Sequence, residues 1–324
     1  MAFDISAFEQ CRICVIGDLM IDEYLWGTVD RISPEAPVPV VCVERKSYTL
    51  GGAGNVINNL VSLGVRVSAC GVIGTGINAN LLLKTFAGMK VETAALIREQ
   101  GRPTTKKTRV IAANQHVLRI DRETTRPIKD ETASRLYALL EKDVSEHDAL
   151  LVSDYGKGLF SPDLLKRLID LGNHHKKPVL VDPKGLDFRK YANASIITPN
   201  RKEASLAAGI EIRDTGSLAA AGNKLLSGIP VNNLLITTGK DGMTLFEKGK
   251  PPYAIPAKAR QVFDVSGAGD TVLAVLGTAV AAGLPLTEGA ALANIAAGIV
   301  VSKVGTAPIE KDEFHNALNR HDKR

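Results

Sequence analysis

Two hydrophobic periods alternate along the chain. Short β-branched runs at residues 13–16, 65–73, 149–152, 179–181, 195–197 and 234–237 read as buried strands, while 55–63, 78–87 and 162–171 carry apolar residues at helical spacing. Strand and helix in alternation predict an α/β fold, a central and mostly parallel sheet flanked by helices. Two more helices are predicted over 268–282 and 288–303; in the first, Val272, Leu273, Leu276 and Val280 mark a buried stripe, which makes that helix a rigid mount for whatever sits at its N-terminus.

Two stretches break the rhythm. Residues 21–29 and 38–48 are extended and Pro-punctuated with no helix between them, and 106–120 reads as a hairpin turning at Ala113-Asn114-Gln115. These segments, within about 21–48 and 105–120, predict a small β-sheet lid inserted after the first strand and resting over one end of the main sheet. A length of 324 residues would allow about two domains. No repeat, linker or low-complexity tract divides the chain, so residues 1–324 are expected to form one domain plus the lid.

With 45% hydrophobic and 23% charged residues the composition is that of a globular protein. Forty basic against thirty-five acidic residues leave a formal +5, interspersed rather than gathered into basic runs with aromatic neighbours. That distribution argues against a nucleic-acid partner and suits an anionic small substrate. Residues 1–10 include acidic side chains and lack the basic-then-apolar order of a secretory signal. The longest weakly polar stretch, 290–301, contains Asn294 and falls short of a membrane span. A cytoplasmic protein without membrane contact is expected. Four cysteines fit a reduced compartment, and Cys11 and Cys14, although spaced C-x-x-C, run into a strand and have no second pair to complete a zinc site. The six histidines show no ligand spacing and are expected to be solvated, at helix ends.

The strongest chemical signal is Asp264-Val265-Ser266-Gly267-Ala268-Gly269-Asp270. Glycines before a buried helix let the chain turn tightly, so that several backbone N–H groups and the positive helix end converge on an anion. The carboxylate of Asp270 at that spot has no obvious structural partner and is suited to take a proton from a hydroxyl attacking phosphorus. An Asp in a first helical turn is also plain capping chemistry. Gly51-Gly52-Ala53-Gly54-Asn55 opens the second predicted helical element, and Gly17-Asp18-Leu19-Met20-Ile21-Asp22 follows the first strand. Both lie at strand ends, where open α/β sheets bind ligands, and each alone is equally turn chemistry.

Taken together these motifs resemble the ribokinase-type (PfkB) carbohydrate kinases over nearly the whole chain. The heptad ending at Asp270 is similar to that family's C-terminal signature and the glycine motif from Gly51 to its N-terminal one. Thr198-Pro199-Asn200-Arg201-Lys202-Glu203 resembles its N-x-x-E motif near magnesium and phosphates. Thr237-Thr238-Gly239-Lys240-Asp241-Gly242 resembles its nucleotide loop, and Asn294 falls where the family lines the adenine pocket. Asp30-Arg31-Ile32-Ser33-Pro34-Glu35-Ala36-Pro37-Val38-Pro39-Val40-Val41, Leu118-Arg119-Ile120-Asp121-Arg122-Glu123 and Ser153-Asp154-Tyr155-Gly156-Lys157-Gly158 resemble the branch of D-glycero-β-D-manno-heptose 7-phosphate kinases. Some members of that branch carry a C-terminal nucleotidyltransferase; this sequence ends at Arg324, which is expected of the kinase-only form. Two departures stand out. Asn55 follows the first glycine by four residues, one fewer than in many ribokinase relatives but as in the heptose branch, and Val265-Ser266 stand where Thr is frequent.

The resemblance implies a ribokinase-like fold and ATP-dependent phosphorylation of the anomeric hydroxyl of heptose 7-phosphate. Asp270 would be the base, with Gly267, Ala268 and Gly269 lending amides. The sugar phosphate would lie among Asp18, Asp22, Gly51, Gly52 and Asn55. Arg109, Arg119, Lys157 and Lys184 are candidates for its phosphate because they lie on the lid hairpin or just after sheet strands. The nucleotide would meet Asn200, Glu203, Thr237, Gly239, Gly242 and Asn294. Mg2+ would sit near Glu203 and Asp264, and a monovalent cation such as K+ is left open. Lids of this type pair subunits in the family, and the apolar, Pro-rich segment 36–43 suits a homodimer contact. Other sugars, or a non-catalytic sugar or nucleotide sensor on the same scaffold, are the alternatives. A P-loop is excluded because no Gly-Lys pair is followed by Ser or Thr, and Gly74-Thr75-Gly76-Ile77-Asn78-Ala79 imitates a dinucleotide fingerprint only weakly.

Overall fold

The computed structural model describes residues 5–113, 115–257, 265–303 and 305–322. The chain begins with β1 (Arg12–Gly17), leaves it through Asp18, and runs at once into two long strands, β2 (Leu19–Ile32) and β3 (Pro39–Gly52). There follow α1 (Ala53–Ser62), β4 (Arg66–Ile73), α2 (Ile77–Gly88), β5 (Glu92–Arg98), and the hairpin of β6 (Thr105–Ala112) and β7 (Gln115–Arg122). The middle of the chain alternates again: α3 (Asp130–Asp143), β8 (Ala149–Ser153), α4 (Pro162–His174), β9 (Val179–Asp182), β10 (Ile196–Ile197), α5 (Arg201–Ala208), α6 (Thr215–Gly228) and β11 (Asn233–Thr237). Two short strands, β12 (Met243–Glu247) and β13 (Tyr253–Ile255), precede α7 (Ala268–Ala281), α8 (Leu286–Val300) and α9 (Lys311–Asp322).

Nine strands form the large sheet in the order β13-β12-β11-β10-β9-β8-β1-β4-β5. Pairing is parallel from β11 to β5 and antiparallel where β12 and β13 extend the edge. The central strands are buried on both faces, so they read as unbroken apolar runs. In β1, Ile13 and Val15 join a core shared with α1, α2, α7 and α8, whereas Cys14 and Ile16 join the opposite core under α3, α4, α5 and α6. The chain turns to β4 on one side of β1 and later to β8 on the other, and this reversal opens a crevice at the C-terminal ends of β1 and β8. Helix α7 stands against that crevice with every residue from Asp270 to Ala279 buried.

The smaller, separate sheet has the order β3-β2-β6-β7 and is built from the two stretches expected to form a lid. β2 pairs antiparallel with β3 and parallel with β6, and β6 pairs antiparallel with β7. Since one residue joins β1 to β2, the root of this sheet is fixed at the crevice mouth. Of the dinucleotide-like glycines, Gly74 is occupied structurally: its amide donates to Thr104 Oγ1 at 2.9 Å.

One expectation needs correction. His147 is not a solvated helix-end residue; it is 1% exposed, with Nε2 2.9 Å from Ser68 Oγ beneath the sheet. Cys11, Cys14 and Cys70 are buried free thiols, and Cys42 is free and exposed. Among the described residues, no helix is long and apolar enough to cross a membrane.

Candidate active site

Gly267 caps α7 in the left-handed region, at φ 80° and ψ 0°. A Cβ there would stand 2.6 Å from Asn55 Nδ2, so only glycine lets α1 and α7 approach this closely. The approach delivers the Asn55 amide to the first turn of α7, where Nδ2 donates to Asp270 Oδ2 at 2.8 Å. Asp270 Oδ1 accepts the Tyr155 hydroxyl at 2.7 Å. The carboxylate expected to lack a partner therefore has two, both neutral, and no Lys or Arg pairs with it among the described residues. It is 3% exposed. Burial pushes its pKa up to about 6, the two hydrogen bonds work in the opposite direction, and the nearby charge of Asp22 adds to the rise.

Tyr155 was not singled out from the sequence, although its motif was. It sits in the loop after β8, and Asp18 holds that loop: Asp18 Oδ2 accepts the amides of Tyr155 at 2.9 Å and Lys157 at 3.1 Å. Burial raises the Asp18 pKa to about 6 against those amides. Asp18, expected to meet substrate, is thus engaged by the backbone of this loop. Arg102 supports the same loop from the root of β6, donating Nη1 to the Lys157 carbonyl at 3.1 Å and Nη2 to that of Arg126.

Gly51 and Gly52 end β3. Gly52 has φ 55° and ψ −134°, and a Cβ there would lie 2.6 Å from the Asp18 carbonyl oxygen, which leaves the position to glycine. Asp22, next to Gly51, is buried and paired with Arg109 Nη1. The four expected phosphate ligands do not form one cluster. Arg109 borders the small sheet beside Asp22; Arg119 on β7 is 50% exposed at its side chain and chelated by Asp121; Lys157 pairs with Glu123 at 2.7 Å. Lys184 lies on the nucleotide side, 2.8 Å from Glu203.

That side is a cavity of about 980 Å³ reaching from Asp270 to Asn294. Asn200 and Glu203 meet at its wall as a capping box on α5: Asn200 Oδ1 accepts the Glu203 amide at 3.0 Å and Glu203 Oε2 accepts the Asn200 amide at 3.1 Å. Thr237, Gly239 and Gly242 line the same cavity, and Asn294 Nδ2 is tied to the Pro256 carbonyl at 2.7 Å. Asp182, at the end of β9, is a wall residue the sequence did not flag. Its carboxylate has no hydrogen-bond or ion-pair partner among the described residues. Burial, with the charges of Asp270 and Glu203, lifts its pKa well above the usual range. An unpartnered carboxylate in a cavity has the donor chemistry of a cation site. Among the described residues no three His, Cys, Asp or Glu side chains are grouped to hold a metal alone, and Asp264 lies outside the described residues.

Solved structures share this architecture. Ribokinase of Arabidopsis thaliana, complexed with ribose and ATP, superposes with a TM-score of 0.75 at 19% identity, over 95% of this chain and 98% of that one. Phosphofructokinase-2 of Escherichia coli, in complex with potassium, gives 0.79 at 17% identity over 97% and 100%. The fold class is therefore ribokinase-like. Within it, the chain belongs to the pfkB family of carbohydrate kinases, whose family model matches residues 10–312. The bifunctional protein HldE of Desulfatibacillum aliphaticivorans is 52% identical over 317 residues, covering 98% of this chain and 65% of that protein. The protein of the same name in Geobacter sulfurreducens is 49% identical over 304 residues, covering 94% and 62%. The chain spans less than two thirds of the length of these curated relatives, 65% and 62%.

Proposed function

We propose that the protein transfers the terminal phosphoryl group of ATP to the anomeric hydroxyl of D-glycero-β-D-manno-heptose 7-phosphate. The product is the 1,7-bisphosphate, on the route to ADP-heptose and the lipopolysaccharide inner core. The observation that carries the reading is Asp270: a buried carboxylate with no Lys or Arg paired to it among the described residues, held by two neutral donors at a helix N-terminus on the wall of the cavity that reaches Asn294. A pKa near 6 leaves it ionised at neutral pH yet basic enough to accept a proton. The kinship with the HldE proteins supports a heptose phosphate as the acceptor.

In this reading the acceptor hydroxyl takes the place of the Tyr155 hydroxyl on Oδ1, and its proton passes to Asp270 as the oxygen attacks phosphorus. The amides of Gly267 and Gly269 and the positive end of α7 receive the charge that builds on the transferred group, whereas the Ala268 amide, expected to join them, donates to the Val265 carbonyl at 3.3 Å. Lys184 neutralises the nucleotide phosphates on the cavity side, while Asn294 and the Thr237 to Gly242 turn border the base. Mg2+ fits the unpartnered Asp182 with Glu203 beside it, and when bound it would draw charge from the phosphates. We extend the proposal to stimulation by K+, supported by the potassium complex of the Escherichia coli neighbour. A homodimer through the small sheet, in the cytoplasm, completes it; exposed Val43 on β3 and Val38 in the turn just before it support the contact.

A coupled assay with ATP and heptose 7-phosphate, fructose 6-phosphate and ribose tests the reading. Transfer to heptose 7-phosphate, reduced about 10²–10⁴-fold in Asp270→Asn with nucleotide binding retained, is the expected result. Transfer to none of the acceptors would leave the sensor alternative standing.

A further inference from the structure

Four crossings join the small sheet to the rest of the chain: Asp18 between β1 and β2, the Gly52-Ala53 junction between β3 and α1, residues 99–104 between β5 and β6, and residues 123–129 between β7 and α3. Each meets the loop that carries Tyr155, or a residue bonded to that loop. Asp18 Oδ2 holds the amides of Tyr155 and Lys157, and the Asp18 carbonyl accepts the Ala53 amide at 3.2 Å. Arg102, buried and paired with Glu99 at 3.1 Å, donates to the Lys157 carbonyl. Glu123 takes the Lys157 ammonium at 2.7 Å, and the Ile128 amide donates to the Gly158 carbonyl at 2.9 Å. Gly158, at φ 85°, lies so near residue 126 that a Cβ would run into the Arg126 carbonyl. A small sheet that shifts about these crossings therefore carries the Tyr155 loop with it.

We propose that Tyr155 is a stopper on the base: its hydroxyl holds Oδ1 of Asp270 against water until an acceptor takes that place, and the crossings draw it aside as the acceptor seats beneath the small sheet. The inference rests on the kinase reading, and it makes Tyr155 a positioning residue that decides which nucleophile reaches the base. Asp270 and Tyr155 border the same cavity as Asn200, Thr237 and Asn294, the nucleotide side. A bare carboxylate there would serve water as readily as a sugar hydroxyl. The water oxygen would attack the terminal phosphorus while the bond from that phosphorus to the bridging oxygen breaks; one water proton would pass to Asp270 and the other stay on the phosphate, leaving ADP. In the fold each carboxylate oxygen already accepts a hydrogen bond, Oδ2 from Asn55 and Oδ1 from Tyr155. Burial, with the charge of Asp270, pushes the Tyr155 phenol well above its ordinary range, so it stays a donor and cannot act as a base itself. Closing elements commonly protect a reactive phosphate by expelling water; here the protection falls on the base, through a loop that the moving sheet holds by several bonds.

Phosphate release from ATP and Mg2+ is followed with the full chain and no sugar, at about pH 8.5, where losing the Tyr155 bond still leaves Asp270 ionised. Tyr155→Phe should hydrolyse ATP about 10–100-fold faster than the parent, the scale of one hydrogen bond to a charged group. It should still transfer to heptose 7-phosphate, so that hydrolysis per transfer rises. Adding Asp270→Asn to Tyr155→Phe should remove the extra hydrolysis. Glu123→Gln, which touches the loop and not the base, should raise hydrolysis in the same direction with Tyr155 in place. Hydrolysis unchanged in Tyr155→Phe beside intact transfer would overturn the stopper and spare the kinase reading, and so would a joint fall of hydrolysis and transfer, the mark of a purely structural residue. Extra hydrolysis that survives Asp270→Asn would show that the base is not what Tyr155 guards. Parental hydrolysis in Glu123→Gln would break the link through the crossings. A parent that transfers to no sugar, with no hydrolysis in any variant, would sink the kinase reading and the stopper with it.

Discussion

The hydroxyl of Tyr155 donates to Oδ1 of Asp270, and the loop that presents it is held by Asp18 through two amides. Asp18, just after the first strand, thus positions the base through Tyr155 without contacting Asp270 itself. Because that hydrogen bond favours the ionised form, Tyr155→Phe lets the Asp270 pKa climb above about 6. The acid limb of the kcat/KM profile should then move to higher pH. A several-fold deficit near about pH 6.5 should shrink toward pH 8.5, since each pKa unit is about tenfold in the proton equilibrium. A uniform loss across the profile would assign Tyr155 a purely structural role.

Burial that raises the Asp270 pKa from 3.8 to about 6 also sets a stability cost. At neutral pH the fold holds an ionised carboxylate it disfavours. As pH falls from about 6 toward 3.8 the folded state takes up its proton before the unfolded chain does, so this contribution to stability improves with acid. Asp270→Asn removes the group from that balance while its carbonyl still accepts from Asn55. The variant should be more stable than the parent by roughly 1–3 kcal/mol at about pH 7.5, with the gain fading by about pH 4. Denaturant midpoints at the two pH values check it; a variant less stable at both would deny the cost.

The strands that wall the crevice were legible because burial on both faces makes them unbroken apolar runs, as in Cys14 to Ile16 of β1. Helix α3 was not foreseen: only Thr132, Leu136 and Leu140 of its fourteen residues are buried, a stripe too thin to stand out. β10, two residues long, offers almost no period to read, and the expectation there was a longer strand. Asp270 and the glycines were readable from spacing, because backbone demands at a helix start are local. Tyr155 was not, because its role depends on a partner 115 residues away. Lys157 and Lys184 looked available as cations until the fold supplied Glu123 and Glu203. Asn200 and Glu203 show a further ambiguity, since one spacing serves both a ligand pair and a helix cap.

Gly267 separates position from stability. Alanine there must hold φ near 80°, at about 1–2 kcal/mol, and its methyl would press on Asn55 Nδ2. Displacing Asn55 loosens one of the two bonds that orient the base. Gly267→Ala should therefore lose about 10–100-fold in kcat while melting only a few degrees lower. Steady-state kinetics beside thermal melts check it, and a variant with normal kcat would show that Asn55 is not needed to aim Asp270.

His147 sets a pH dependence of the opposite sign. Ser68 Oγ donates its one proton to Glu92 Oε2 at 2.8 Å, so at 2.9 Å the Nε2 of His147 must be the donor. Nδ1 is buried without a partner, and the ring is therefore neutral. Asp143, with Oδ2 3.8 Å away, favours the charged ring and Arg12 opposes it, but burial dominates and pulls the pKa below 6.5. In the unfolded chain the ring takes up a proton as pH falls through 6.5, while the folded state resists. Stability present above that pH is lost below it. His147→Gln keeps a side-chain donor and cannot titrate, so between about pH 7 and 5 the parent should lose stability relative to the variant. The scale is about 1.4 kcal/mol for each unit by which the pKa is depressed. Comparing the two proteins cancels the contrary trend of Asp18 and Asp270, which both retain. If parent and variant lose stability in parallel, the acid-sensitive group lies elsewhere and the neutral ring beneath β4 is not what the sheet protects.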